Sequence, residues 1–466
     1  MRSVIIFGAG TGGKLAKWML EDFGYRVIGF SDNNESIWGS RLEEVPVIPP
    51  SEFAKWDADI VIASVWEEEI RHQLNELGLG ERIVGKEECM YEYMQHNLGK
   101  YAYIQQVCVD HGKAPTFLFG TDLGLYQGGV ESWTYTVADE LKRQGYQVKI
   151  LTSDTSAPAP ERFEEDTCYL NMRRKGYCSG LKDTVDVIME NSPCIVIDSW
   201  QSMTMHAAAI VKSHREDAVL RLIEIVHNDL PRLFRCVKRF EAQIDYCMGV
   251  SRDINRALTE EYGINCKKVR YKESPICFES VDRMYSLDPE QCIRIGYAAR
   301  LVRSQKRADL LIPLVEKLVQ RGIHFRLQIA GSGALSDSIE TYIAEHQLED
   351  RVKLMGFLPR EQMKFFWSDQ DIFINVSEYE GVGLSMLEAM GYGCVPVVFE
   401  VAGSREYISS EMGYVCENGD LDEMADDIGI LAADRDQIQL MGDRAKASIR
   451  QKCDIEAYAN HLLNLL

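Results

Sequence analysis

The stretch Ser377-Glu378-Tyr379-Glu380-Gly381-Val382-Gly383-Leu384-Ser385-Met386-Leu387-Glu388-Ala389-Met390 follows the short apolar run Ile372–Asn375. The run reads as a buried strand and the residues from Leu384 onward as a helix, so Gly381 and Gly383 form the turn between them. A glycine turn that opens a helix leaves backbone N–H groups free to meet an anion. Here Gly381, Val382, Gly383, Leu384 and Ser385 supply that backbone. Seven residues separate Glu380 from Glu388. Glu380 falls in the turn and Glu388 one turn inside the helix. Helix side chains lean toward the N-terminus, so Glu388 can point back toward the same end. Two carboxylates at an anion-binding helix end suit the recognition of hydroxyl groups.

Outward from this stretch the alternation repeats. Ile293–Tyr297, Phe325–Ala330, Val352–Leu354 and Val395–Val398 read as strands, with a helix over Gln305–Arg321 and helices at the chain end. An earlier series holds strands at Phe117–Phe119, Gln147–Thr152, Cys194–Ile197, Leu222–Val226 and Tyr246–Val250, with a helix over Val130–Gln144. Ser153–Asp166, rich in Ser, Thr, Pro and acids, reads as a surface loop. The first series holds strands at Val4–Phe7, Arg26–Phe30 and Asp59–Ala63, and a helix over Lys14–Asp22. The pattern weakens after Val84, and Gly85–Ala114 reads as a linker with some helix. Strands alternating with helices give parallel sheets with crossover helices. The fold class is therefore α/β, with three doubly wound units in a row.

The chain has 466 residues, 72 acidic against 51 basic, for a formal net charge of −21. Hydrophobic residues make up 46% and charged residues 26%, an ordinary globular composition. Such a charge argues against a nucleic-acid binder, which needs a basic face. No apolar run reaches the ~18 residues that span a bilayer. The start, Met1 to Gly8, has four apolar residues before glycines break it, which fits a buried strand better than a signal peptide. The 13 cysteines are scattered and none forms C-x-x-C, so zinc-ribbon and thioredoxin readings fail and reduced thiols of a cytoplasmic protein are expected.

Two further glycine patterns open helices. Gly8-Ala9-Gly10-Thr11-Gly12-Gly13 follows the first strand, and Asp32 ends the next one, 24 residues after Gly8. Gly8, Gly10 and Gly13 with Asp32 make a candidate nucleotide site, the glycines for the tight turn and phosphate approach and the acid for a ribose hydroxyl. Gly128-Gly129-Val130-Glu131 follows the strand at Phe117–Phe119 and invites a phosphate in the same way.

The combined motifs resemble the family-4 retaining glycosyltransferases of the GT-B fold over residues 115–466. Besides the Glu380–Glu388 pair, the resemblance rests on Ile295–Leu301 followed by Gln305–Leu311, on Ile329-Ala330-Gly331-Ser332-Gly333, on Val352–Phe357 and on Gly393–Val398. Gly128–Glu131 and Val226-His227-Asn228-Asp229 match in the first half. It implies that Arg300 and Lys306 clamp the donor diphosphate. Glu388 then holds the ribose, while Glu380 with Gly381–Leu384 reads the donor sugar and its phosphate. The loops carrying Gly331, Gly356 and Phe357 cradle the donor, His227 lies near the reacting sugar carbon, and Gly128 and Gly129 meet the phosphate or acceptor. Domains at 115–285 (acceptor) and 286–454 (donor) are implied, with the last helix, 455–466, packing back on the former. Ahead of them stand a Rossmann-like module at 1–97 and a linker at 98–114. Gly29-Phe30-Ser31-Asp32-Asn33-Asn34 and Val47–Phe53 resemble nucleotide-sugar-binding domains of bacterial sugar acyltransferases. Two departures stand out. Arg300 and Lys306 are six apart where the family has five, which leaves Arg303 as an alternative clamp, and Lys272-Glu273-Ser274-Pro275-Ile276 replaces the family's Pro-Asn-Gly turn.

Fixed cations and a helix dipole can meet the charge on a departing diphosphate without a metal. The expected activity is thus retaining transfer from a nucleotide-diphosphate sugar to a glycan or lipid-linked acceptor, in bacterial cell-surface polysaccharide synthesis, with no required cofactor. Asp57-Ala58-Asp59, Asp369-Gln370-Asp371 and Asp420-Leu421-Asp422 read as caps or solvated acids rather than metal ligands. His206 reads as structural. Leu230–Arg239 mixes apolar residues with Arg232, Arg235, Lys238 and Arg239. It reads as a core helix with a solvated basic side, and the alternative is peripheral docking at the inner membrane face. Two other functions stay open: an NAD-dependent nucleotide-sugar oxidoreductase or epimerase using Gly8–Gly13, disfavoured because no tyrosine has lysine four residues on, and a non-catalytic sugar-nucleotide sensor. For the first module the open roles are nucleotide binding, activator binding and self-association into a homo-oligomer.

Overall fold

The computed structural model describes residues 2–64, 66–121, 128–152, 159–170, 176–199, 203–215, 219–288 and 290–465. Three sheets follow one another. The first holds β1 (Ser3–Phe7), β2 (Arg26–Ser31), β3 (Arg41–Leu42), β4 (Val45–Ile48) and β5 (Asp59–Ile62) in the order β3-β4-β2-β1-β5. Only β3 and β4 pair antiparallel. The second holds β6 (Thr116–Thr121), β7 (Val148–Thr152), β8 (Thr167–Tyr169), β9 (Cys194–Asp198), β10 (Leu220–Val226), β11 (Tyr246–Gly249) and β12 (Val269–Arg270), in the order β12-β11-β10-β9-β6-β7-β8. The third holds β13 (Ile293–Ala298), β14 (Phe325–Ala330), β15 (Val352–Gly356), β16 (Ile372–Asn375), β17 (Val395–Phe399) and β18 (Tyr414–Cys416), in the order β15-β14-β13-β16-β17-β18. Helices cover both faces, which is why central strands such as β1 and β16 are continuous apolar runs rather than alternating ones.

In each sheet the chain leaves a central strand in one direction and later pairs on that strand's other side: β1 with β5, β6 with β9, β13 with β16. Open α/β sheets form ligand crevices outside the carboxyl ends of the strands at such switch points. The glycine turns follow this rule. Gly8 follows β1 and leads into α1 (Thr11–Asp22), and Ser377–Gly383 follows β16. The turn after β6 leads through Gly128, but residues 122–127 lie outside the described ones.

Further helices used below are α2 (Glu67–Glu76), α3 (Lys86–Asn97), α4 (Gly129–Arg143), α5 (Tyr177–Glu190), α6 (Met203–His214), α7 (Pro231–Arg239), α8 (Leu311–Gln320), α9 (Arg360–Ser368), α10 (Leu384–Gly391) and α11 (Ile455–Leu463). Several expectations change. The segment expected as a linker is mostly structured: α3 is followed by a 3-10 stretch, Leu98–Gln106, whose Tyr101 and Ile104 are buried in the second lobe's core. Its mixed composition comes from α3 having an apolar side (Cys89, Met90, Tyr93, Met94) and an acidic start that meets another lobe. The helix expected over Gln305–Arg321 begins only at Leu311, after a 3-10 turn at Ala308–Leu310. Of the expected loop Ser153–Asp166, residues 153–158 lie outside the described ones, and Phe163 is buried against Tyr135.

Part of the basic side of α7 meets another lobe instead of solvent. Arg235 pairs with Glu67 and, at 3.0 Å, with Glu68, and Arg239 lies 2.7 Å from Glu88 and 3.7 Å over the Tyr91 ring. The acids belong to α2 and α3, so this helix is the seam joining the first unit to the second lobe. Beside it, His206 is buried among Phe23, Tyr93, Tyr177 and Phe240. Among the described residues, no helix is long and apolar enough to cross a membrane. At the other end α11 returns to the second lobe, where Tyr458 meets Trp133 edge-on at 5.9 Å. In the segment replacing Pro-Asn-Gly, Ile276 donates its N–H to the Cys453 carbonyl at 3.0 Å, tying the connection between lobes to the end of the long C-terminal helix before α11.

Candidate active site

The second and third lobes meet at the carboxyl ends of their sheets. Gly381 packs flat on the second lobe: a Cβ there would stand 1.9 Å from the His227 carbonyl oxygen. Any side chain would push the lobes apart at this point. Gly383, at φ 69°, turns the chain into α10. Leu384 then faces Gly129 at the start of α4, 3.6 Å from where a Cβ would lie. Two helix N-termini from opposite lobes therefore approach each other, and their free N–H groups and dipoles make the gap locally positive.

Lys306 reaches this gap through a loop that breaks the expected helix. Gln305 and Arg307 both adopt left-handed backbone, at φ 61° and 46°. Non-glycine residues pay about 1 kcal/mol or more for this, and such strain concentrates at functional sites. The two turns aim Lys306 Nζ at Glu380 Oε1, 2.5 Å away, and Ser377 Oγ donates to the same oxygen at 2.8 Å. Glu380 is only 6% exposed, so its charge is matched where it is buried. The exposed Arg300 donates to Gln305 Oε1 at 3.1 Å, and its charge acts on both Glu131 and Tyr379. Arg303 points elsewhere: its side chain is 74% exposed and its nearest acid is Asp309, at 3.9 Å.

Gln305 is a site residue that sequence reasoning missed. Its Nε2 lies 3.4 Å from Asn228 Oδ1 of the second lobe and 3.5 Å from the Tyr379 carbonyl. It read as an ordinary helical position, and only the six-residue Arg300–Lys306 spacing hinted at an unusual loop. Glu131 was quoted only as part of a glycine motif. It accepts a hydrogen bond from Gly128 N–H at 3.1 Å, and burial raises its pKa to about 7 against the pull of those N–H groups and Arg300.

His227 sits at the end of β10, its Nε2 3.3 Å from Ser199 Oγ and its ring edge-on to Trp133 at 5.0 Å. Burial lowers its pKa to about 3, so the imidazole is neutral near pH 7. Glu388 of α10 lines a cavity of about 370 Å³ between α4 and α9, with Thr136, Arg360, Lys364 and Tyr392. Burial raises the Glu388 pKa and Arg360 opposes this. Gly331 and Gly356 are linked by an N–H···O bond of 2.7 Å between β14 and β15, and Phe357 beyond them is 55% exposed.

In the first unit, a Cβ on Gly8 would stand 2.7 Å from the Ala63 carbonyl oxygen and one on Gly13 would stand 1.8 Å from that of Gly8, whereas Gly10 has nothing within 4 Å. Asp32 Oδ2 accepts the Ala9 N–H at 2.9 Å. Of the Asp-x-Asp pairs, Asp371 binds Arg294 at 2.8 Å, Asp422 binds Lys317 at 2.8 Å, Asp59 pairs with Arg2, and Asp420 caps a helix. Among the described residues, no three His, Cys, Asp or Glu side chains gather as a metal site.

Residues 285–448 match the family model for glycosyl transferases group 1, and residues 127–271 match that for glycosyltransferase family 4. Through these two lobes the chain belongs to the family-4 glycosyltransferases, with the facing α/β domains of the GT-B fold and an additional α/β unit ahead of them. Residues 1–84 match a C2185-like N-terminal domain. Among curated relatives, the poly(ribitol-phosphate) alpha-N-acetylglucosaminyltransferase of Staphylococcus aureus is 32% identical over 37% of this chain and 34% of its own length. The amylovoran biosynthesis glycosyltransferase AmsK of Erwinia amylovora is 30% identical over 49% of this chain and 54% of its own. The chain thus aligns with about a third and about half of these two relatives. Anabaena HepE, solved with UDP-glucose, superposes with a TM-score of 0.61 at 16% identity, covering 76% of this chain and 100% of that one. Staphylococcus aureus TarM superposes over 100% of this chain and 98% of its own, with a TM-score of 0.54 at 14% identity.

Proposed function

We propose that the chain is a retaining glycosyltransferase that moves a sugar from a nucleoside-diphosphate sugar to a glycan or lipid-linked acceptor, without a metal ion. One observation carries this reading: the starts of α4 and α10 approach across the cleft while Lys306 and Arg300 enter the same gap from β13. Departure of a diphosphate builds negative charge on oxygen and positive charge on the anomeric carbon. Pre-placed cations and helix ends lower that barrier because they need no reorganisation as charge develops. Lys306, now on Glu380, would turn to the phosphate, and Glu380 would then be free to accept a sugar hydroxyl. Glu388 would take the ribose hydroxyls in its own cavity, and neutral His227 would hydrogen-bond the sugar. The relatives and neighbours named above support trying UDP-sugars first, and cell-surface polysaccharide synthesis in the cytoplasm as the setting.

We favour a front-side displacement in which the leaving phosphate takes the acceptor proton. A double displacement needs a carboxylate close beneath the sugar ring, and this reading gives Glu380 to a sugar hydroxyl instead. A thermal-shift panel of UDP-, GDP-, ADP- and TDP-sugars identifies the donor, because a specific ligand raises stability by mass action. The product is then read by NMR. Retained anomeric configuration with an EDTA-resistant rate is expected. An inverted product, or a trapped covalent sugar–enzyme adduct, overturns the mechanism. Absence of any stabilising donor overturns the assignment.

A further inference from the structure

Arg300 and Lys306 reach the gap from one loop, yet they are held differently. Lys306 is pinned on the buried Glu380, whereas Arg300 is exposed. A long exposed side chain loses conformational entropy when it is fixed in one place, so something must hold it. Gln305 Oε1 accepts from Arg300 Nη2 at 3.1 Å, while Gln305 Nε2 donates to the Tyr379 carbonyl at 3.5 Å and to Asn228 Oδ1 at 3.4 Å. One amide therefore joins three segments: the loop after β13, the turn after β16 and the end of β10 in the second lobe. Its orientation is determined. A guanidinium donates and a main-chain carbonyl accepts, so the amide oxygen must face Arg300 and its nitrogen the turn.

The main chain of the same residue is equally engaged. The Gln305 carbonyl accepts the Glu378 N–H at 2.7 Å, and the Lys306 N–H closes a tight turn onto the Ser304 carbonyl at 2.6 Å. That turn takes Gln305 to φ 61°, a conformation that glycine reaches without strain. Glycine would serve the backbone better, so what this position gains from glutamine is the side-chain amide. The bond to Gln305 uses one N–H of Arg300, and a guanidinium fork has others to offer a phosphate. The Arg300 charge is felt on both sides of the gap, by Glu131 at the start of α4 and by Tyr379.

We propose that Gln305 is a positioning residue of this site, which holds Arg300 toward the diphosphate when the two lobes are together. The inference rests on the reading of the cleft given above. The bond to Asn228 needs the lobes in contact, so closure of the cleft and alignment of Arg300 are one event. Moving the lobes apart takes an acceptor from the amide and loosens its hold on the guanidinium.

The test is calorimetric titration of UDP and UMP into the full chain, or of the matching pair if the donor panel selects another base. The ratio of the two affinities reads the grip on the second phosphate. The wild type should favour the diphosphate, and Arg300→Ala should lower that ratio about tenfold, the loss of one charge-assisted contact. Gln305→Gly keeps the left-handed turn and removes the amide. It should hold the wild-type thermal midpoint and still lower the ratio by nearly the same factor. Gln305→Met, which keeps the length of the side chain, should match it. Arg300→Ala combined with Gln305→Gly should fall no further than Arg300→Ala alone, because one residue acts through the other. A residue that merely supports the loop would shift Lys306 as well and add its own loss to that of Arg300→Ala. Retention of the wild-type ratio by Arg300→Ala, Gln305→Gly or Gln305→Met, or losses that multiply in the combined variant, overturns the inference. A wild type that does not favour the diphosphate fails earlier and distinguishably: it overturns the diphosphate reading of the cleft, and this inference with it.

Discussion

The turn at Gly8–Gly13 and the turn at Gly381–Gly383 each follow a central strand and open a helix at a switch point, yet their surroundings differ. In the first unit Gly8 and Gly13 pack backbone against backbone. Gly8 lies over Ala63, Gly13 lies over Gly8, and Asp32 already holds the Ala9 N–H. In the cleft, Gly381 lies over His227 of the other lobe, and Lys306, Arg300 and a second helix start share the space in front. The difference lies in what other elements bring to each turn.

Three substitutions test this contrast. The largest effect is expected from Lys306→Ala. It should lower kcat for transfer by about 10²–10³, the scale for removing one preorganised stabiliser of transition-state charge. Steady-state kinetics with the donor identified above check it, and a loss below tenfold would break the functional side of the comparison. Next comes Gly13→Ala, whose Cβ would enter the Gly8 carbonyl. A destabilisation of about 1–3 kcal/mol is expected, whereas Gly10→Ala, with open space around it, should stay within about 0.5 kcal/mol. Chemical denaturation measures both, and equal effects would refute the packing account of this turn.

The smallest effect sharpens the picture of the α4 start. Glu131 has its pKa raised by burial from 4.5 to about 7. A group whose folded pKa is raised gives stability that is fully present below pH 4.5 and lost as pH rises to about 7. Glu131→Gln keeps the cap on Gly128 but cannot ionise. The variant should therefore lack this pH-dependent loss, gaining on the order of 1–3 kcal/mol over the wild type near pH 8 relative to pH 4.5. Parallel stability-versus-pH curves would show the charge to be harmless where it stands.

The sequence alone determined the three α/β units, most of their central strands and the glycine turns, because burial on both sheet faces and the demands of tight turns leave local signatures. It also pointed to Glu380 through its glycine-turn motif and to Lys306 through the family resemblance of the segment around it. The tertiary structure decided whatever depended on residues far apart in the chain. It turned Lys306 onto Glu380 through the left-handed residues Gln305 and Arg307. It set Gln305 against Asn228 of the opposite lobe and Arg239 of α7 against an acid about 150 residues away. A charged helix face reads the same in sequence whether it meets water, lipid or another lobe, since the free energy of a charge is set by what surrounds it and not by its neighbours along the chain.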